Sequence, residues 1–383
     1  MNRFFSSLIV FALAAWTLPA RAQDNYSVSQ QEAYPEEIQA RLEVVNREIS
    51  RLLPSNLDQY APQYVITNIT RWSPGQVVRV AFNGGSYQLR KDIADTAQQW
   101  TDGGNLKLDF GHDPATQTFR QWTYNDKTFV ADIRIGFEQS GYWSLVGTDS
   151  SNPVIVSPNE ASMNLGGFHL RLPAEWKGTV LHEFGHALGF QHEHQHPLEG
   201  CDSQFRWYND AGYILTKDSY GQFVSDSNGK RPGLYTVLAG RPNEWSESKV
   251  DRNLRQLKDS RAYDLSSFDP RSIMKYEFPA WMFVNGAQST CFSESRNSSL
   301  SPQDRNGFAR AYPRQASQIG ALVARRSQFI REIVAEPNAS DTSAAYLMNQ
   351  TLLYKNSDLR GVGDMVADPK LQEQQKKLLN EML

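Results

Sequence analysis

His182-Glu183-Phe184-Gly185-His186-Ala187-Leu188-Gly189-Phe190-Gln191-His192-Glu193-His194-Gln195-His196 is the stretch on which the reading of this chain turns. It holds five of the seven histidines, three of them spaced H-E-x-x-H-x-x-G-x-x-H. On a helix, His182 and His186 emerge from one face about a turn apart, close enough to share a metal ion. Glu183 lies roughly 100° further round, beside the metal, where it can handle protons on a bound water. Gly189 lets the chain leave the helix with positive φ, and the turn brings His192 back as a third ligand. Three neutral imidazoles leave a fourth tetrahedral position for water, the arrangement of a catalytic and not a structural zinc. Val180, Leu181, Phe184, Ala187 and Leu188 recur at helical spacing, a buried face that a solvated histidine tract does not carry. His194 and His196 fall outside the ligand spacing and are expected at the surface or in supporting hydrogen bonds.

The composition is that of a globular chain. Its 383 residues are 40% hydrophobic, with nine Trp and sixteen Tyr, and the net charge is −3. That charge gives no electrostatic case for nucleic acid or an anionic membrane. At the N-terminus, Arg3, the apolar run Leu8 to Trp16 and Ala20-Arg21-Ala22 read as a secretory leader over 1–22 that is cut before Gln23. The apolar run is short for a membrane span. The product is expected to be secreted, extracellular or periplasmic. In such an oxidising compartment Cys201 and Cys291 could close one disulfide; two free thiols are the alternative.

Along the chain, Ile38, Leu42, Val45, Ile49 and Leu52 give residues 36–53 an amphipathic helix, which must dock on the following domain or on another chain. A linker-like stretch runs from Pro54 to about residue 68, so 23–68 reads as a helical segment, either a removable propeptide or a permanent appendage. Strands are expected at 76–82, 106–110 and 129–137, with a further one at Val154-Ile155-Val156, and a helix at 87–101. The histidine-bearing helix begins near Ala174. A short helix is expected at 247–257 and a capped one at 301–312, with Pro302 at its first turn and Asp304 following. The tail, 314–383, shows helical patterns at 315–335 and 368–382 and no chemical motif.

These residues resemble the metzincin superfamily of zinc endopeptidases, most nearly its astacin-like members. Phe190, His192 and Glu193 match the astacin extension of the motif, and Ser272-Ile273-Met274-Lys275-Tyr276 is similar to the Met-turn S-x-M-H-Y. The segment from Leu300 to Pro313 is similar to the last helix of astacin catalytic domains. The resemblance covers about residues 70–313. It implies an α+β fold: a metzincin-type catalytic domain over 69–313, with a twisted, mixed five-stranded sheet, the zinc helix, an irregular C-terminal subdomain and helical extensions at both ends. It implies Met274 as the floor beneath the imidazoles and Tyr276 beside the metal, able to stabilise an oxyanion. It also implies that Glu193 engages the mature N-terminus, and that an extended substrate lies along an edge strand at about residues 153–166.

There are departures. Lys275 stands where the family has histidine, the four-cysteine pattern is missing, and no F-x-G-D element precedes the domain to supply a blocking aspartate. The reading is of a zinc-dependent endopeptidase acting on protein or peptide substrates. One zinc ion is held by His182, His186 and His192, with Glu183 as general base and Tyr276 assisting. A zinc-stabilised binding protein and a hydrolase of non-peptide amides are the rival classes.

Overall fold

A computed structural model describes residues 32–52, 70–196, 200–257, 267–322 and 346. The expected leader, the stretch from Pro54 to residue 68 and most of the tail lie outside the described residues. The N-terminal helix α1 spans Glu36–Leu52. Strand β1 (Val77–Phe82) follows the turn at Pro74-Gly75, where Gly75 takes φ 90°. Helix α2 (Tyr87–Ala97) starts at Ser86, whose side chain accepts the Leu89 N–H, and continues as a 3₁₀ turn to Thr101. Then come β2 (Lys107–Asp109), β3 (Ile133–Gly136), β4 (Tyr142–Ser144) and β5 (Met163–Leu165). Helix α3 (Trp176–Ala187) carries the first two histidines. Helices α4 (Leu234–Leu238) and α5 (Glu247–Leu254) belong to a loop-rich C-terminal subdomain, and α6 (Pro302–Ala311) closes the domain. Residues 316–322 are helical again, within the first pattern expected in the tail.

The strands form one five-stranded sheet in the order β2-β1-β3-β5-β4. All pairs are parallel except β4 with β5, which pairs Trp143 opposite Asn164. The mixed α+β arrangement is the one expected. Two local expectations were wrong. Val154-Ile155-Val156 is not a strand: Asn152 O accepts the Ile155 and Val156 N–H groups and folds the run into a turn. Ile155 and Val156 are nevertheless fully buried, so the apolar signal was one of packing and not of pairing. The free edge is β4, at 142–144, and not the stretch at 153–166. Residues 163–165 of that stretch form β5, which lies between β3 and β4.

Val78, Val80, Phe82, Ile133 and Ile135 meet Ile93, Trp100, Val180, Leu181 and Phe184 in one apolar cluster shared by the sheet, α2 and α3. A second cluster gathers Ala81, Trp122, Trp143, Leu145, Ile155 and Val156 with Ile38 and Val45 of α1 and with Tyr346 of the tail. So the stripe of α1 docks on the domain that follows it, one of the two partners its periodicity allowed. Tyr346 donates its hydroxyl to Asp149 Oδ1 at 2.8 Å and accepts Asn152 Nδ2 at 3.2 Å on its carbonyl. A third cluster, in the C-terminal subdomain, surrounds the disulfide Cys201–Cys291 with Phe205, Trp207, Trp245, Phe278 and Phe283. Closing a 90-residue loop constrains the unfolded chain, an effect worth up to roughly 4 kcal/mol. Among the described residues no helix is long and apolar enough to cross a membrane.

Candidate metal centre and active site

Helix α3 is held along its length before it presents any chemistry. Trp100 Nε1 donates to Leu181 O at 2.8 Å, and Trp72 Nε1 donates to Ala187 O at 2.7 Å. Tyr312 donates its hydroxyl to Leu188 O at 2.6 Å, so the carbonyls at the helix end are partnered inside the core. Gly189 then takes φ 93°, the left-handed conformation that suits glycine, and the chain reverses toward His192. The next residue, Glu193, donates its N–H to Met274 O at 3.0 Å, which ties the third histidine's loop to the Met-turn.

His182, His186 and His192 converge as the spacing requires. His182 Nδ1 donates to Ile273 O at 2.7 Å and His186 Nδ1 to Phe190 O at 2.8 Å, so each Nε2 carries a bare lone pair. His186 Nε2 lies 3.0 Å from His192 Nε2. A fourth donor, which sequence reasoning did not find, completes the group: Glu32, four residues before α1. Its Oε2 lies 3.2 Å from His182 Nε2 and 3.1 Å from His192 Nε2, and its Oε1 lies 3.5 Å from His186 Nε2. Zinc bonds of about 2.0–2.1 Å in a tetrahedron place neighbouring donors about 3.3 Å apart, so these separations are those of a zinc cage. The donor set, three neutral imidazoles and a carboxylate, fits one zinc ion.

Burial pushes the Glu32 carboxyl up, but the electrostatic pull of His186 and the close contacts with all three imidazoles outweigh it, holding the group well below the usual carboxylate range. The His192 ring is driven down to about 4, by burial first and then by His186, against the pull of Glu32. Glu183 is the opposite case. Its carboxyl is raised well above the usual range by burial and then by the negative charge of Glu32, with Arg296 opposing. Glu183 Oε2 is buried with no hydrogen-bond partner, an orphan acceptor at the edge of the cage.

The Met-turn residues come to this centre as expected. A Cβ on Gly185 would overlap Met274 Sδ, so the thioether rests directly against the backbone of α3 between the two histidines. The turn is fastened from α6: Asp304 accepts the Ser272 hydroxyl at 2.7 Å and the Ile273 N–H at 2.9 Å. Tyr276 donates its hydroxyl to Glu32 Oε2 at 2.8 Å, and its ring centroid lies 4.3 Å from that of His192. Lys275 is buried, with Nζ reaching Tyr276 O at 3.2 Å and Ser293 Oγ at 3.3 Å. Burial brings its ammonium down to about 8, against the charge of Glu277. Glu193 Oε1 accepts the Asp269 N–H at 2.7 Å. His194 and His196 are buried and not at the surface; His194 Nε2 donates to Asn253 O at 2.8 Å, one of the supporting bonds anticipated.

The segment after Glu32 lies across the edge of the sheet. Tyr34 donates its hydroxyl to Ser144 O on β4 at 3.0 Å, and its ring meets Trp143 edge-on. On α1, Arg41 grips Glu160 through both guanidinium nitrogens at 2.8 Å, and Glu43 pairs with Arg252 of α5 at 2.7 Å. A cleft of about 560 Å³ opens beside residues 33–36, walled by Trp143 on one side and by Trp245 and Lys249 on the other.

No protein-family model matches the chain. The zinc metalloproteinase dpy-31 of Caenorhabditis elegans is 25% identical over 193 residues, which are 50% of this chain and 26% of that protein, so the chain spans about a quarter of that relative's length. Myroilysin, a solved structure, is 31% identical; the match covers 64% of this chain and 97% of that one, with a TM-score of 0.46. A hatching-enzyme zinc protease of the medaka fish Oryzias latipes is 16% identical over 67% of this chain and 94% of its own, with a TM-score of 0.31.

Proposed function

We propose that the chain is an astacin-like metzincin metalloproteinase, a secreted zinc endopeptidase that its own Glu32 holds shut. The observation that carries this reading is the convergence of three imidazole nitrogens with Glu32, together with the orphan Oε2 of Glu183, the residue after the first of those histidines. A structural site has no use for a buried, unpartnered carboxylate at its edge.

His182, His186 and His192 hold the metal. When bound, zinc polarises the scissile carbonyl and acidifies the attacking water. Glu183, whose affinity for a proton is raised by burial, takes the proton of that water as its oxygen attacks the carbonyl carbon. Glu183 then gives the proton to the amine nitrogen as the C–N bond breaks. The Tyr276 hydroxyl, freed from Glu32, donates to the carbonyl oxygen while it carries negative charge. Met274 is the floor that keeps α3 and the Met-turn at fixed spacing. An extended peptide pairs with the open side of β4, the edge that Tyr34 now covers.

Glu32 would take the fourth position on a bound zinc, where water and the scissile carbonyl must come, so the enzyme works only once that carboxylate is gone, as when residues 23–68 are displaced or removed. The catalytic unit is 69–313, followed by the extension 314–383. The disulfide and the leader-like N-terminus both support export. Casein digestion by the protein freed of its N-terminal segment tests the reading, run beside Glu183→Ala with zinc content measured in both. Loss of cleavage by on the order of 10²–10⁴ in the variant, with zinc retained, is expected. Equal rates would remove Glu183 from its role, and no cleavage by the parent would end the endopeptidase reading.

A further inference from the structure

His194 belongs to the histidine run but stands outside the ligand set, and it is the most deeply enclosed of the five. Its side chain is fully buried, and its single ring proton goes to Asn253 O, because a carbonyl only accepts. Its plane lies 28° from that of Tyr276 with centroids 4.7 Å apart, and 29° from that of His192 at 5.0 Å. Phe278 closes the ring edge-on at 5.0 Å. Neighbouring Gln195 works in parallel: its Nε2 donates to Arg252 O at 2.8 Å and to Arg255 O at 3.0 Å, and its carbonyl accepts the Leu257 N–H. Residues 194–195 thus collect the carbonyls at the C-terminal end of α5, which that helix cannot satisfy internally. Helix α5 is also a wall of the cleft, through Lys249, and the helix that meets α1, through Arg252 and Glu43.

We propose that His194 is a positioning residue that joins this cleft wall to the metal centre: its N–H holds the ring to α5, and its flat face sets where Tyr276 and His192 lie. Tyr276 is a long side chain that must leave Glu32 and turn to a developing oxyanion, and a parallel aromatic surface limits it to sliding within one plane. The proposal rests on the reading of Tyr276 as the donor to that oxygen.

Three substitutions of His194 separate the face of the ring from its bulk and its hydrogen bond. His194→Phe keeps a flat face and loses the N–H; His194→Leu keeps apolar bulk without a face; His194→Ala keeps neither. All three strand Asn253 O, so Phe and Leu are expected to lose similar thermal stability, and Ala more because it also leaves a cavity. They are made in the full chain opened by Glu32→Ala, and kcat and KM are measured on a peptide substrate. The expectation is that Leu and Ala lower kcat about tenfold or more while Phe stays within about threefold, with KM little changed in each. The visible absorption of the cobalt-substituted chains should move in the Leu and Ala variants and stay in place in Phe. If Leu matches Phe, or if all three lose kcat and stability together, the face of the ring does nothing and the proposal is overturned. If the opened chain cleaves nothing while binding metal, the peptidase reading has failed, and the cobalt spectra alone still decide whether His194 sets the site.

Discussion

Replacing Glu32 by alanine in the intact chain removes one carboxylate and should open the site without any cut. The magnitude follows from what that carboxylate touches. It accepts the Tyr276 hydroxyl at 2.8 Å and stands 3.1–3.5 Å from three imidazole nitrogens, in a largely buried site. A hydrogen bond to a charged group contributes about 1.5–3 kcal/mol net, and each 1.4 kcal/mol is tenfold in an equilibrium. The open fraction should therefore rise by roughly 10- to 150-fold. The gain has a ceiling, because α1 stays seated through Ile38, Val45 and the Arg41–Glu160 pair, and Tyr34 still covers β4. The assay is the initial rate of cleavage of a quenched fluorescent peptide by full-length parent and variant. Mass spectrometry confirms an uncut chain, and metal analysis confirms one zinc in each. An uncut variant that holds zinc and cleaves no faster than the parent refutes the assignment of Glu32 as the lock.

Lys275 is expected to cost stability at neutral pH. Its folded pKa of about 8 lies below its unfolded value of 10.5, so the folded chain binds the proton more weakly. The penalty is full below pH 8 and fades as pH rises toward 10.5. Lys275→Met should therefore stabilise the fold by about 1–3 kcal/mol at pH 7 in denaturant titrations, with the gain gone near pH 10.5; a less stable variant at pH 7 contradicts this. Gly185→Ala forces a methyl into Met274 Sδ and should cost about 1–3 kcal/mol and speed zinc loss to a chelator; unchanged release argues against the floor role. Arg134 is fully buried and donates to Glu160 O, Ala131 O and Ser150 O, holding the 147–162 loop on which α1 sits. Arg134→Met strands those carbonyls and should destabilise by about 3–5 kcal/mol, read as a lowered melting temperature.

The convergence of His182, His186 and His192 was legible because local geometry dictates it: a helical turn places His182 and His186, and a left-handed glycine returns His192. Met274 and Tyr276 were legible only through the resemblance of 272–276 to a family pattern, and both lie beside the histidines. Glu32 was not legible. No local rule connects it to residues about 150 positions away, and with no F-x-G-D pattern the sequence points to no blocking carboxylate. The amphipathic period of α1 did say that it must dock, but a stripe specifies a face and not its target. Val154 to Val156 misled for a related reason: burial and pairing write the same apolar run, and Asn152 chose a turn. His194 and His196 were expected at the surface or in supporting hydrogen bonds because they fall outside the ligand spacing, and His194 takes the second course. The sequence carries no sign that α5 comes to meet them with carbonyls to satisfy.

Tyr346 shares its buried cluster with Ile38 and Val45, and this sets an order of events during synthesis. A ribosome delivers α1 long before Tyr346, and the histidines and the sheet emerge between the two. The seat of the helix therefore stays incomplete until well after those groups have been made. A chain lacking Tyr346 keeps Glu32 and the three histidines and lacks one side of the seat that holds α1.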